Sequence, residues 1–200
     1  VSQHLVDFAQ FSLQAFRDIV LGNQGYVDTI LADYFAHRTN YMGMVDANGK
    51  NTYYRGQLRV IDPTGKRLAQ FDGKDYLQHI AEHVEPWSYI KFPFLKQPGW
   101  KGFVDGADSG LYRVAPLARL NVADGMATPL AQAHYEQFYS TLGGKPVHST
   151  LATHWARLIE ALQATEVIQT LAHDPEILSP VVRTLPDSPP TEGIGVVEAP

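Results

Sequence analysis

Helical spacing opens the chain. Across residues 3–20, Leu5, Phe8, Ala9, Phe16 and Ile19 recur near one face, which predicts an amphipathic helix ending near Gly22. Residues 26–35 predict a second, shorter helix. The period then shortens. Tyr41-Met-Gly-Met-Val45 leads into the turn signal Asp46-Ala-Asn-Gly49, and residues 52–61 carry Tyr53, Tyr54, Leu58, Val60 and Ile61. Asp62-Pro-Thr-Gly65 marks a second turn, with Pro where a fixed φ helps. With residues 67–71 as a third strand, the pattern predicts a small antiparallel meander.

Helical spacing returns over residues 75–84, with Tyr76, Leu77, Ile80, Ala81 and Val84 on the inner side. Pro86 ends that helix by disfavouring helical geometry just before itself. Residues 85–121 are dense in Trp, Tyr, Phe, Pro and Gly and hold no sustained period. A connector of that length is usually functional or packed under a larger assembly. Thr128 can cap a helix that begins at Pro129 and runs to about Leu142, where Gly143-Gly144 stops it. The longest helix is predicted from Ser149 or Thr150 to about His173. Leu151, Trp155, Leu158, Ile159, Leu162, Val167, Ile168 and Leu171 give it a broad apolar face. Asp174-Pro175 ends it, residues 180–190 form a proline-rich connection, and residues 192–200 read as extended. No repeat of fixed period is present. The expectation is one domain over residues 1–200, α+β and mainly helical, with a small antiparallel sheet.

Composition narrows the partners. A chain of 200 residues that is 44% hydrophobic can build one sizeable core. The net charge of −5, from 16 basic and 21 acidic residues with no basic stripe, argues against a nucleic-acid partner. No apolar run approaches the roughly 18 residues a membrane helix needs. Residues 1–6 are too short and polar for a signal-peptide core, so the expected location is the cytoplasm. The chain has no cysteine, which excludes disulfides, thiolate metal sites and cysteine nucleophiles. Its eight histidines remain as metal ligands or proton carriers.

One local motif carries chemistry. His79-Ile-Ala-Glu82-His83 fits H-x-x-E-H, the zinc motif of the inverted metalloproteases. Helical positions four apart share a face, so both imidazoles can reach one Zn²⁺, with Glu82 as general base toward a zinc-bound water. The third ligand in that family is a distant Glu, a place that Glu160, 77 residues beyond His83, can take. The plainer reading is two half-exposed helical histidines. Arg157 and Glu160 lie three apart on the long helix and can pair, with His154 nearby, as a structural polar group. Lys91 and Arg119 are single cations inside aromatic, proline-rich sequence, where an Arg can clamp a carboxylate through two parallel bonds. No phosphate-binding glycine loop and no G-x-S-x-G elbow occurs.

Three longer segments occur in order: Glu85-Pro-Trp-Ser-Tyr-Ile-Lys-Phe-Pro93, Leu111-Tyr-Arg-Val-Ala-Pro-Leu-Ala-Arg-Leu-Asn-Val122 and Gly193-Ile-Gly-Val-Val-Glu-Ala-Pro200. They resemble nickel-iron hydrogenase large subunits, above all the cytosolic bidirectional, NAD(P)-linked group and its sulfhydrogenase relatives. Tyr41-Met-Gly-Met-Val45, Leu58-Arg-Val60 and His154-x-Ala-Arg157-Leu-Ile-Glu160 fit the same pattern, so the resemblance covers nearly the whole chain. Ala115 stands where that family commonly has Gly.

In that family, four cysteines hold nickel and iron, two in an early R-x-C-G-x-C-x-x-x-H motif and two in a late D-P-C-x-x-C-x-x-H motif. Neither is present. After Glu198-Ala-Pro200 the family continues with Arg-Gly. The resemblance therefore implies a middle segment with a large-subunit-like helical core, both cysteine-bearing ends being absent: a truncated chain, a fragment gene or a split subunit. It implies no catalytic residue and no direct metal ligand here. The nickel-iron centre, and a magnesium ion, would belong to the whole enzyme, which oxidises H₂ reversibly with NAD(P). Glu82 and Lys91 resemble positions near that second metal and its waters, as outer groups that orient water or pass protons. The implied partners are a small subunit with iron-sulfur clusters and a diaphorase module. The tryptophans and the loop over residues 96–110 are the expected contact surface. As an isolated fragment the chain is expected to form a homo-oligomer through its bare surface. An alternative is a cysteine-free, non-catalytic relative resembling the quinone-site subunit of respiratory complex I.

Overall fold

The computed structural model describes residues 1–197, so the Glu198-Ala-Pro200 part of the third motif lies outside the described residues. The first helix, α1 (Ser2–Ala15), buries Val6, Ala9 and Leu13, the stripe that helical periodicity requires. It continues as a π-helical turn, Phe16–Leu21, and stops at Gly22. A Cβ at Gly22 would sit 2.5 Å from the Asp18 carbonyl oxygen, so only glycine fits there. Next, α2 (Gln24–Leu31) is capped by Asn23, whose side chain accepts from the Gly25 amide at 3.1 Å.

The predicted meander is present. Strands β1 (Asn40–Val45), β2 (Gln57–Ile61) and β3 (Arg67–Phe71) pair antiparallel in sequence. A two-residue strand, β6 (Tyr112–Arg113), adds in parallel to β1, giving the order β3-β2-β1-β6. Strand β2 starts later than the sequence suggests.

Residues 75–84 depart from expectation. Only α3 (Tyr76–His79) is helical, and Ile80–Val84 forms strand β4, paired antiparallel with β5 (Lys91–Leu95) as a separate two-stranded hairpin. Period-3.6 spacing is available to this segment, but Ile80 and Val84 are β-branched and a partner strand arrives eleven residues after Ile80. Pairing across the hairpin satisfies the backbone that a short exposed helix would have satisfied internally. The stretch without a period therefore holds β5, β6 and a helix, α4 (Ala115–Val122), whose residues 116–122 are all buried. A helix buried all round shows no amphipathic stripe, which is why the pattern hid it.

Helix α5 (Pro129–Thr141) begins where predicted. The long helix, α6 (Thr153–Ala172), follows a 3₁₀ turn, Thr150–Ala152. It is the spine of the core. Trp155, Ala156, Ile159 and Leu162 pack with α1 residues Val6, Ala9 and Leu13 and α5 residues Ala131, Tyr135 and Phe138. The other end of its apolar face stays open: Val167, Ile168 and Leu171 are exposed, as are Phe8 and Phe11 on α1.

Helix α4 joins this helical layer to the sheet. Gly43 of β1 makes that contact close, since a Cβ there would lie 2.7 Å from Val122 Cγ2 and 3.0 Å from Arg119 Cα. The opposite sheet face is covered by Leu95, Ile80 and Val196, the last from the extended C-terminal stretch. The fold is α+β, with more helix than strand. No helix among the described residues is long and apolar enough to cross a membrane.

Candidate functional site

The buried polar groups converge where α4, α6 and the connection between β1 and β2 meet. Arg119 Nε donates to Glu160 Oε1 at 2.7 Å and its Nη2 to Oε2 at 2.8 Å, a two-pronged ion pair with both side chains buried. Asn51 Nδ2 donates to the same Oε1 at 3.3 Å. One turn on, the Gln163 amide donates to Asn51 O and Oδ1 at 3.1 and 3.2 Å and accepts from the Ala127 amide at 2.7 Å. Such a pair adds little net stability over an apolar replacement, but it fixes how the elements meet.

Two further clusters extend the frame. Arg59, on β2, donates through Nη1 to Val122 O and Asp124 Oδ2, both at 2.9 Å, and through Nε to Gln70 Oε1 at 3.1 Å. Glu166 accepts from Thr128 Oγ1 and from the Leu130 and Ala131 amides at 3.1 and 3.0 Å. A carboxylate from α6 therefore caps α5, favoured by the helix dipole. Thr128 occupies the expected N-cap position, but its hydroxyl is turned to Glu166 rather than to its own helix.

Tyr41 Oη lies 2.6 Å from His148 Nδ1 in the interior. Burial pushes the Tyr41 phenol up to about 12, with Arg113 pulling it partly back. Burial, helped by Arg38, holds the His148 imidazole below its ordinary value.

The sequence-predicted residues fall into three groups. Arg119 and Glu160 come together, so Arg119 clamps a carboxylate as expected, but the carboxylate is the one the helical spacing had assigned to Arg157. Arg157 does not pair with Glu160: it is exposed with His154 on the outer side of α6, while Glu160 lies on the buried side with Ile159 and Gln163. Glu82 and Lys91 do meet, at 3.0 Å across the β4–β5 hairpin, but in solvent, each more than half exposed.

The zinc arrangement loses its helical premise. His79 ends α3 and stacks on Phe71 at 3.9 Å between centroids, whereas His83 lies within β4, stacks on Trp100 at 4.3 Å and meets Glu85 Oε1 at 3.0 Å. Glu160 is held by Arg119 in the other layer. Among the described residues, no three His, Asp or Glu side chains are gathered so as to hold a metal ion. Asn51, Arg59, Asp124 and Gln163 are not among the sequence-level candidates. They are far apart in sequence, and no local spacing marks them.

On the outside, the hairpin presents a chain of rings. His83, Trp100, Phe92, Phe103 and Trp87 follow one another at 4.3–6.2 Å between centroids. Trp87 and Phe103 are more than half exposed, and Tyr89 and Ile90 extend the patch.

No protein-family model matches the chain. Curated relatives do. The F420-non-reducing hydrogenase iron-sulfur subunit of Archaeoglobus profundus is 46% identical over 200 residues, covering 100% of this chain and 41% of the relative. The NAD-reducing hydrogenase HoxS subunit beta of Cupriavidus necator is 40% identical over 198 residues, covering 98% of this chain and 38% of the relative. A crystal structure of an NAD⁺-reducing [NiFe]-hydrogenase in the H₂-reduced state superposes with a TM-score of 0.74 at 32% identity, over 88% of this chain and 37% of that one. The chain is thus homologous to hydrogenase subunits and shares their fold. It spans about two-fifths of the length of the curated relatives it matches.

Proposed function

We propose that the chain is the central scaffold segment of a nickel-iron hydrogenase large subunit, inactive alone, whose whole enzyme couples reversible H₂ oxidation to NAD(P). The observation that carries this reading is the end-to-end match of all 200 residues to about two-fifths of a hydrogenase subunit. The open apolar face on α1 and α6 supports it, since contiguous exposed apolar surface usually meets another chain segment or partner.

The donor set does not fit a nickel-iron centre. Soft thiolates select and retain these metals, and the chain has no cysteine. The two buried glutamates among the described residues, Glu160 and Glu166, are already engaged by Arg119 and by the start of α5. No step of H₂ chemistry is therefore assigned to these residues. Their work is mechanical: Arg119, Glu160, Asn51 and Gln163 hold helices and sheet in one geometry. In this reading residues 1–200 act as one domain, and Glu82 and Lys91 orient water near a second metal, magnesium, at the border with the rest of the enzyme. The ring-lined hairpin faces a small subunit carrying iron-sulfur clusters, with a diaphorase module beyond it, in the cytoplasm.

The test is a graft. This chain, placed between the cysteine-bearing ends of a NAD-reducing hydrogenase large subunit, should restore H₂-dependent NAD⁺ reduction and small-subunit binding, while the chain alone shows neither. H₂ uptake by the isolated chain, or stoichiometric nickel in it, would overturn the proposal.

A further inference from the structure

A cavity of about 280 Å³ lies between the β2–β3 turn and the end of α4, lined by Arg59, Arg67, Asn121, Asp124 and Lys145 among others. Three of these side chains are cations and one is an anion. Asp124 pairs with Arg59 at 2.9 Å and also acts on Lys145 at longer range. No carboxylate among the described residues lies within ion-pair distance of Arg67 or Lys145.

Donors are also left over. The Lys145 ammonium donates to the Ala123 carbonyl and, at 2.9 Å, to Tyr135 Oη, which uses two of its three N–H groups. The rings of Tyr135 and Tyr139 face it at 5.6 and 5.7 Å. Arg59 engages partners through Nε and Nη1, and its Nη2 makes no hydrogen bond among the described residues. Among the described residues, Arg67 makes one long hydrogen bond, 3.5 Å to Gln70. Gly65, in the turn that precedes β3, lines the same cavity as Arg67 and Lys145, and a Cβ placed on it would lie 3.6 Å from the Pro146 ring.

We infer that this cavity is a binding site for a small phosphate-type oxyanion, held by Arg59, Arg67 and Lys145. The three cations come from separate elements: β2, β3 and the loop before Pro146. That suits a tetrahedral oxyanion better than a flat carboxylate, which one guanidinium fork would satisfy. The volume sits just below the range of drug-sized pockets, so the ligand is inorganic phosphate or the phosphoryl group of a small ester. The inference is independent of the hydrogenase reading. Separately, burial holds the Lys145 amine down to about 8, opposed by Asp124 and assisted by Arg59. A bound dianion would raise it.

The experiment is the pH dependence of Lys145 acylation in the 200-residue chain, read by peptide mass spectrometry in phosphate, in glycerol phosphate and in chloride of equal ionic strength. Phosphate should slow Lys145 labelling near pH 8 at least fivefold and leave Lys74 and Lys91 unchanged. Protection by glycerol phosphate as well identifies a phosphoryl group as sufficient; protection by phosphate alone restricts the ligand to the free ion. Arg67→Ala, an exposed change that preserves the fold, should remove the protection. Equal labelling in phosphate and chloride, equal protection of all lysines, or undiminished protection in Arg67→Ala would each overturn the inference.

Discussion

Ala115 holds a backbone angle that an L-residue resists. Its φ is +75°, immediately before Pro116 at the start of α4. Proline disfavours the right-handed helical region for the residue preceding it, and the chain here turns into a fully buried helix, so the strain is set by the surroundings. A left-handed φ costs an alanine about 1–2 kcal/mol. Glycine is free of that cost but loses about 0.5–1 kcal/mol more entropy on folding. Ala115→Gly should therefore stabilise the chain by about 0.5–1 kcal/mol, a rise in Tm of roughly 1–4 °C for this size. Ala115→Val should move the other way by at least as much, since a β-branched residue tolerates this φ worse. Urea unfolding of the three variants gives the order Gly, Ala, Val from most to least stable. Ala118→Gly, at a buried helical position three residues on, should lose about 1 kcal/mol and so supplies the opposite sign in the same helix. If Ala115→Gly were neutral or destabilising, or Ala115→Val matched the parent, the strain argument would be refuted.

Glu160→Ala leaves the buried Arg119 guanidinium without its fork and should lower stability by about 3–5 kcal/mol, whereas exposed Arg157→Ala should change it by less than about 0.5 kcal/mol, both read from urea midpoints. Glu166→Ala should cost about 1–2 kcal/mol and speed hydrogen exchange at the Leu130 and Ala131 amides first; uniform loss of protection would contradict its capping role. Gly43→Ala forces a Cβ to 2.7 Å from Val122 Cγ2 and should cost about 1–3 kcal/mol, a loss that Val122→Ala partly relieves. Lys145 is held near 8 in the fold against an ordinary 10.5, so the unfolded chain binds more protons between those values and stability should rise with pH from about 8 to 10. Above pH 10 the rise should be reversed as Tyr41, kept protonated in the fold up to about 12, ionises in the unfolded chain. Lys145→Met should flatten the rise below pH 10 and leave the fall above it.

Periodicity in the sequence determined the elements that bury one face. The helices at residues 3–20 and 149–173 and the three-strand meander were legible because each carries an apolar stripe or alternation of its own. The lack of cysteine settled, without any coordinates, that thiolate-bound metal cannot be held here. Tertiary structure alone decided the rest. Helix α4 is buried on every side and shows no stripe. Residues 80–84 became a strand because β5 was there to pair with, a fact outside any local window. Glu160 chose Arg119, 41 residues away, over Arg157 three residues away, because only the inward side of α6 excludes water and makes a charged partner obligatory. The cationic cavity likewise gathers Arg59, Arg67 and Lys145 from separate parts of the chain, since long-range packing brings together groups whose spacing in sequence says nothing of their distance in space.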